Sequence, residues 1–418
     1  MDAVMRQTDC SSKRATRPLS LDNPLCRRRT FQLLALALSL GLILTGCNSM
    51  GGTTGGGSPA HDASERPTDG NQDSATAADL NLKDGEPNDG FESALSVIYN
   101  DNRAELQGTI TGGGDIDVFI LEAMEPGDRI EIDVDTFGSG LDSAIAVYDD
   151  QGRLFADNDD RSGSNLDSYI DAVIRHAGDP YYLAVSATFF PFSSSAEDGG
   201  YWITVDITPG GSVPDPVAQV LFLDFDGGTL TNPDLIDVND SGNEIRPFSG
   251  ASIAPFYADH TDTIKQSIID TLAENFEGLG VELVSSDDGV PDVGEFSTIM
   301  FGSLSQEAFG ISESVDSYNS DPSDMAVIFT ESFSPFVFRS IPRPVDLGMA
   351  IGNVAAHEAG HLLGLNHVED PLAIMDAASP ADTFLDDQDF KEAPLSPQIM
   401  DLGTQDALLL LGEILGID

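Results

Sequence analysis

Three histidines within eleven residues constrain the fold of the C-terminal half more than any other feature of this chain. The segment reads His357-Glu-Ala-Gly-His361-Leu-Leu-Gly364-Leu-Asn-His367. Positions 357 and 361 lie one turn apart on an α-helix, so both imidazoles project from the same face. Gly364 has no Cβ and can end the helix abruptly, which brings His367 back towards that face. The spacing therefore predicts a helix, a sharp turn and one shared metal ion.

The chemistry of this set indicates zinc. Three neutral imidazoles leave a fourth position open for water, as in catalytic zinc sites. Glu358 stands beside the first histidine, where its carboxylate can reach such a water and act as a general base. The chain has only six histidines, and this full spacing arises by chance on the order of once in 10⁵ chains. Solvated or core histidines on a helix are the alternative.

The segment resembles the zinc-binding signature of the metzincin metallopeptidases. The segment Ala373-Ile374-Met375-Asp376, whose Met375 lies eight residues after His367, is most similar to the matrixin branch of that group. The resemblance implies one catalytic Zn²⁺ held by His357, His361 and His367, with Glu358 as general base and Met375 as the structural Met-turn residue.

Two positions depart from the usual matrixin pattern. Val368 stands where matrixins commonly have Ser or Thr, and Asp376 stands where an aromatic residue is common. The resemblance implies an α+β metzincin-like metallopeptidase domain over 217–418, acting on protein or peptide substrates. We expect the strand near 325–329 to be the sheet edge on which a peptide pairs.

The charge balance excludes several classes of partner. The chain of 418 residues has 71 acidic and 19 basic side chains, a formal net charge of −52. Nucleic acids require a basic surface, so DNA and RNA are excluded as ordinary ligands. Docking on anionic lipid by charge alone is excluded for the same reason.

The N-terminus has the features of an export signal. Basic residues up to Arg29 precede an apolar run over 31–44, which is shorter than the roughly 20 residues of a membrane span. Leu44-Thr45-Gly46-Cys47 then resembles the lipobox of bacterial lipoproteins. The resemblance implies a signal peptide over 1–46, lipid attachment at Cys47 and an extracytoplasmic protein anchored in the cell envelope. Asn48 favours the outer membrane or cell surface.

The composition divides the mature chain into further segments. Residues 47–83 are rich in Gly, Ser and Asp, which predicts a disordered tether. Residues 84–208 contain short β-rich runs between Gly/Asp turns, which predicts an antiparallel β-sandwich. We predict strands over 118–121, 129–134, 144–148, 169–174, 181–185 and 201–207. Residues 209–216 (PGGSVPDP) read as a linker.

The predicted sandwich resembles the bacterial pre-peptidase C-terminal domain, a jelly-roll-like fold. The residues that carry the resemblance are Glu86-Pro87-Asn88-Asp89 and the segment 114–119. Asp115 and Asp117, or alternatively Asp157, Asp159 and Asp160, could bind Ca²⁺, which prefers clustered oxygen ligands. Solvated turn acids are the alternative interpretation.

Beyond the linker, strands and helices alternate. We predict strands over 220–224, 297–301 and 325–329, and helices over 262–276, 347–363 and 404–415. The whole chain is thus predicted to be a multidomain, lipid-anchored zinc metalloendopeptidase. The alternative is a non-catalytic surface binding protein or adhesin that retains the zinc site.

Overall fold

The computed structural model describes residues 81–83 (backbone only), 85–112, 114–136, 138–162, 165–188, 198–377 and 380–417. The predicted leader, the lipid attachment at Cys47 and most of the predicted tether lie outside the described residues. Across those ranges, no helix combines the length and the apolar character that crossing a membrane requires.

Ten strands form the N-terminal part. They are β1 (Asn81–Lys83), β2 (Leu95–Ser96), β3 (Arg103–Ile110), β4 (Asp117–Ile120), β5 (Arg129–Asp135), β6 (Ser143–Tyr148), β7 (Leu154–Asn158), β8 (Tyr169–Val173), β9 (Tyr182–Ala187) and β10 (Gly199–Thr208). One sheet has the order β1-β3-β10-β5-β8 and the other β2-β4-β9-β6-β7. All pairs are antiparallel except β1 with β3 and β2 with β4, which are parallel.

The two sheets share one apolar core. Leu106, Ile130 and Ile203 from the first sheet meet Phe119 and Leu183 from the second. Side chains of β5 alternate between buried and more exposed positions, as expected when one sheet face covers a core. All six predicted strands overlap observed strands (β4, β5, β6, β8, β9 and β10), whose β-rich runs supply side chains to this core. The jelly-roll connectivity stays a prediction.

The N-terminal boundary of the folded part needs a correction. β1 pairs in parallel with residues 105–107 of β3, although Asn81–Lys83 lies inside the predicted tether of 47–83. A three-residue edge strand has no alternation long enough to be recognised in the sequence.

The C-terminal part mixes strands and helices. Its strands are β11 (Gln219–Asp224), β12 (Gly228–Thr229), β13 (Glu244–Ile245), β14 (Val281–Ser285), β15 (Ser297–Phe301), β16 (Gly310–Ser312), β17 (Met325–Ile328), β18 (Glu392–Pro394) and β19 (Thr404–Asp406). Its α-helices are α1 (Pro233–Val238), α2 (Gly250–Ile253), α3 (Thr261–Asn275), α4 (Pro344–Leu362) and α5 (Ala407–Leu415). The predicted last helix therefore begins at Ala407, and residues 404–406 form a strand that pairs with β18.

The main sheet has the order β14-β11-β15-β17-β16. Its pairs are parallel except for β16 with β17, which is antiparallel. The prediction that β17 is the sheet edge is wrong, because β17 pairs on both sides and β16 is the outer strand. Strand order depends on contacts distant in sequence, so local patterns could not provide it.

Helices α3 and α4 pack against each other, and α4 contacts strands β15 to β17 of the main sheet. Ile264 and Ile268 of α3 belong to the same core as Leu347 and Ile351 of α4 and Ile299 of β15. The zinc-motif helix is thus fixed between a helix and a sheet, in an α+β arrangement.

The described residues of the two parts belong to one compact unit and contact each other directly. Tyr148, Leu154 and Val118 of the β-rich part share an apolar cluster with Leu395 and Met400 of the C-terminal part. The segment between Thr208 and Gln219 contains neither helix nor strand. The linker over 209–216 and the domain boundaries on either side of it stay predictions.

Candidate metal centre

Helix α4 presents the first two histidines. It begins with Pro344 at its first position, and the Asp346 side chain accepts a hydrogen bond from the Arg343 backbone N–H. The helix ends at Leu362, and Gly364 then adopts a φ of +90°. A Cβ at Gly364 would lie 2.8 Å from the Asp316 carbonyl oxygen, so glycine is required for both conformation and space. The predicted sharp turn is present.

The three histidine side chains converge on one point. The Nε2 atoms lie 3.0 Å apart between His357 and His361, 3.1 Å between His361 and His367, and 3.2 Å between His357 and His367. Zinc bound at about 2.0–2.1 Å holds tetrahedral ligand nitrogens roughly 3.3 Å apart. The triangle is therefore close to the size that zinc needs.

Hydrogen bonds fix the tautomers of the first two imidazoles. His357 Nδ1 donates to the Ile374 carbonyl and His361 Nδ1 to the Leu365 carbonyl, each at 2.7 Å. With the proton on Nδ1, each Nε2 atom is unprotonated and carries a lone pair. These lone pairs face one another, an arrangement that a cation stabilises. Burial lowers the pKa of His357 to about 4 and that of His367 to about 3, which keeps both imidazoles neutral. The donor set fits a zinc ion.

Glu358 is buried beside the triad and has one oxygen without a partner. Its side chain is 2% exposed, and Ser312 of β16 offers hydrogen bonds from its backbone and its hydroxyl. Glu358 Oε2 has no hydrogen-bond partner among the described residues. Burial raises the pKa of this carboxyl well above its ordinary value. A buried orphan oxygen beside a metal-ligand set is placed to accept from a water molecule.

Met375 lies beneath the metal-ligand helix. A Cβ at Gly360 would be 2.5 Å from Met375 Sδ, so the helix accommodates the sulphur only because Gly360 has no side chain. The Met375 carbonyl accepts a hydrogen bond from Val368 N–H, just after the third histidine. The predicted Met-turn residue therefore supports both segments that carry the histidines.

Several residues near the centre had no recognisable signal in the sequence. Gly310 and Ser312 border Glu358, but β16 is only three residues long. Asn366 and Gln405 hydrogen-bond each other next to His367, and Asp157 contacts Asn366 from the β-rich part. Contacts across such sequence distances cannot be found from local motifs.

The structure brings together one of the two predicted sets of calcium ligands and not the other. Oxygens of Glu86, Asp115 and Asp117 lie within 4.8 Å of one another. Asn88 is fully buried, and neither polar atom of its side chain has a hydrogen-bond partner within the described ranges. The alternative set of Asp157, Asp159 and Asp160 does not form such a group among the described residues. Calcium binding stays a prediction.

A family model described as matrixin matches residues 274–393. The matched segment contains α4, all three histidines, Glu358 and Met375. The resemblance to matrixins is thus confirmed over that segment. No curated protein matches this chain.

Several solved structures are similar to less than half of the chain. The pre-peptidase C-terminal domain of a Bacillus anthracis collagenase shares 20% identity, with 27% of this chain and 94% of that chain covered and a TM-score of 0.20. PliG from Aeromonas hydrophila, a periplasmic inhibitor of g-type lysozyme, shares 18% identity over 28% and 96% of the chains, with a TM-score of 0.22. Archaemetzincin from Methanopyrus kandleri shares 14% identity over 47% and 95% of the chains, with a TM-score of 0.23.

The matrixin match and the histidine triad support the same general activity. Matrixins are zinc metallopeptidases, and the matched residues contain a triad able to hold a metal ion. The C-terminal part is therefore supported as a zinc metallopeptidase in general terms.

Proposed function

We propose that this protein is a zinc-dependent endopeptidase of matrixin type, held at the bacterial cell surface by a lipid on Cys47. His357, His361 and His367 hold the zinc ion. The observation that carries the proposal is Glu358 Oε2, a buried carboxylate oxygen without a hydrogen-bond partner beside three converging imidazole nitrogens. A purely structural zinc site does not need a buried carboxylate of this kind.

The chemistry that a bound zinc ion supplies is polarisation of the scissile carbonyl and a lower pKa for the attacking water. Glu358 Oε2 accepts the proton of that water and then delivers it to the nitrogen of the departing amine. Ser312 holds the other carboxylate oxygen, so the base keeps one orientation during both transfers. The buried surroundings of Glu358 raise its proton affinity, which suits a group that must receive a proton and return it.

We infer that an extended peptide pairs along β16. Among the described strands, this outer strand pairs with β17 alone, and its residue Ser312 contacts Glu358. Main-chain pairing at a sheet edge supplies affinity independent of side chains. Such pairing would bring a substrate peptide bond next to the base.

The decisive experiment compares Glu358→Gln with Glu369→Gln, a matched change at an exposed acid near the motif. Metal content and cleavage of an unfolded protein substrate are measured with and without chelator. We expect one zinc per chain in all forms, chelator-sensitive cleavage by the parent and Glu369→Gln, and loss of cleavage in Glu358→Gln. Cleavage retained by Glu358→Gln would refute its role.

The alternative function is a surface binding protein that keeps the zinc site without turnover. In that case the parent binds one zinc ion but cleaves no unfolded protein under any condition. Absence of zinc after loading would refute both functions. The same measurements therefore separate the two candidates.

The anchor and the calcium site are separate proposals. For the anchor, Cys47→Ser should move the protein from the membrane fraction to the soluble fraction, and an unchanged distribution would contradict lipidation. For calcium, we propose binding at Glu86, Asp115 and Asp117, supported by the unpartnered amide of Asn88. Calorimetric titration with Ca²⁺ should lose its signal in Asp115→Asn if the site exists.

A further inference from the structure

We propose that Asp157, in the β-rich part, is a positioning residue for the third zinc ligand. The inference rests on the proposed function of the histidine triad. Asp157 Oδ1 accepts a hydrogen bond of 2.8 Å from the side-chain amide of Asn366, the residue directly before His367. The β-rich part would then be a component of the metal site as well as an accessory segment.

Asn366 is held on its backbone as well as on its side chain. Its N–H donates to Gln405 Oε1 at 2.7 Å, and Gln405 Nε2 donates to its carbonyl oxygen at 2.8 Å. Gln405 is fully buried and Asn366 is 2% exposed, so water does not replace these bonds easily. Asp157 and Gln405 together fix the position from which His367 projects.

The third ligand has a greater need for such support than the first two. His357 and His361 stand on α4, whose backbone hydrogen bonds fix their spacing. His367 follows Gly364 in a non-helical loop, where its carbonyl accepts from Ser396 N–H at 3.0 Å. Outer contacts that orient ligands contribute substantially to metal affinity, and a loop ligand depends on them most.

The support from the β-rich part is rigid. Asp157 belongs to β7, and it pairs with Ala146 of the neighbouring strand β6. Just before β7, the Gly152 carbonyl accepts a hydrogen bond of 3.0 Å from Thr404 N–H, the residue preceding Gln405. The two groups that hold Asn366 are therefore connected to each other through the same junction.

A second contact acts on the turn that precedes Asn366. Tyr318 donates a hydrogen bond of 2.6 Å from its hydroxyl to the Phe155 carbonyl on β7. The guanidinium of Arg175 lies 4.9 Å from the centre of the Tyr318 ring. The loop of Tyr318 packs on Gly364, where a Cβ would meet Tyr318 N at 2.9 Å. Strand β7 thus contacts Asn366 directly and supports the Gly364 end of the turn through Tyr318.

The test uses the full chain and measures zinc release directly. Parent, Asp157→Ala, Asp157→Asn and Tyr148→Phe are loaded with zinc, and transfer of the metal to a chromogenic chelator is followed. Tyr148→Phe is the matched control, because it removes a 3.0 Å hydrogen bond to Leu402 across the same junction without touching Asn366. We expect Asp157→Ala to release zinc at least ~10-fold faster. Asp157→Asn, which retains an acceptor oxygen, and Tyr148→Phe should behave like the parent.

A second test, which is needed if Asp157→Ala does not fold, exchanges the acid at position 157 and the amide at position 366. N366D places two carboxylates face to face and should release zinc rapidly, whereas D157N/N366D restores a donor and an acceptor and should return release towards the parental rate. The absorption spectrum of the cobalt-loaded forms should change in N366D and recover in the double variant.

Two outcomes would overturn the inference. Either Asp157→Ala releases zinc at the rate of Tyr148→Phe, or D157N/N366D shows no recovery relative to N366D. Both leave the proposed peptidase function intact, because the parent still binds zinc and cleaves. Failure of the parent to bind zinc would instead remove the proposed function itself.

Discussion

Gly310 lies so close to Glu358 that a Cβ at position 310 would be 2.6 Å from Glu358 Oε1. Glu358, the proposed general base, and the outer strand of the sheet are thus in direct contact, and the absence of a side chain at Gly310 makes room for the carboxylate. The proposed metal ligands are not involved in this contact, so binding of a metal ion and orientation of Glu358 can be perturbed separately.

Gly310→Ala should therefore impair turnover without removing zinc. The new methyl group must displace the Glu358 carboxylate, and a displacement of about 1 Å in a catalytic group can reduce kcat roughly 100-fold. Metal content measured beside kcat tests this separation. Gly294→Ala is the control, because nothing lies within 4 Å of a Cβ there. Equal kcat in the two variants would show that the contact has no catalytic importance.

The sequence predicted the convergence of the three histidines better than their surroundings, and the reason is physical. The spacing of His357, His361 and His367 follows from the pitch of one helix and one turn, so it can be recognised within a single segment, residues 357–367. The relation between Asp157 and Asn366 spans 209 residues and depends on how two parts of the chain pack. No local pattern encodes such a contact.

The same distinction applies to the fold. Strands such as β5 and β10 can be predicted because each is a long β-rich run between Gly/Asp turns, and their buried positions alternate in the structure. Strand β16 has three residues, all buried, and thus shows no alternation. Its place at the sheet edge, and the place of β17 between β15 and β16, are set by tertiary contacts alone. The prediction of the wrong edge strand has this cause.

Stability should depend on pH through His176, which has no role in the sequence-based interpretation. Its Nδ1 lies 2.8 Å from Glu413 Oε1 and its Nε2 lies 3.3 Å from Asp149 Oδ2, so it bridges helix α5 and the β-rich part. Hydrogen bonds with Asp149 and Glu413 raise the pKa of His176 to about 9. Burial opposes the charge of Asp149, but hydrogen bonds from His176 and Arg153 outweigh it and lower that pKa to about 2.

The sign of this effect follows from linkage. Between pH 6.5 and about 9 the folded protein keeps the His176 proton and the unfolded chain does not. The contribution of charged His176 to the unfolding free energy is therefore fully present below pH 6.5 and is lost as the pH rises through about 9. The loss is at most about 3 kcal/mol. The unfolding free energy of the parent and of His176→Asn, measured from pH 6 to 10, tests it. Parallel curves for the two proteins would contradict the prediction.

Asp324 should destabilise the fold at neutral and alkaline pH. The residue precedes β17 and is 4% exposed. Neither carboxylate oxygen has a hydrogen bond of good geometry within the described ranges, although Ser297 lies close enough to offset part of the cost. Burial, together with the smaller effect of the negative charges of Asp316, Glu313 and Asp321, raises the pKa of Asp324 to about 8.

Asp324→Asn should therefore stabilise the protein in a pH-dependent manner. Between pH 3.8 and about 8 the folded state holds a proton on Asp324 that the unfolded chain has released, so the stability of the parent falls as the pH rises through this window. The amide is neutral throughout, so the variant should match the parent near pH 4 and exceed it increasingly up to pH 8. Urea unfolding of both proteins at several pH values measures this difference. Asp292→Asn, at an exposed position, should follow the parent at every pH. If Asp324→Asn also follows the parent, then a partner or a water molecule already compensates the buried charge.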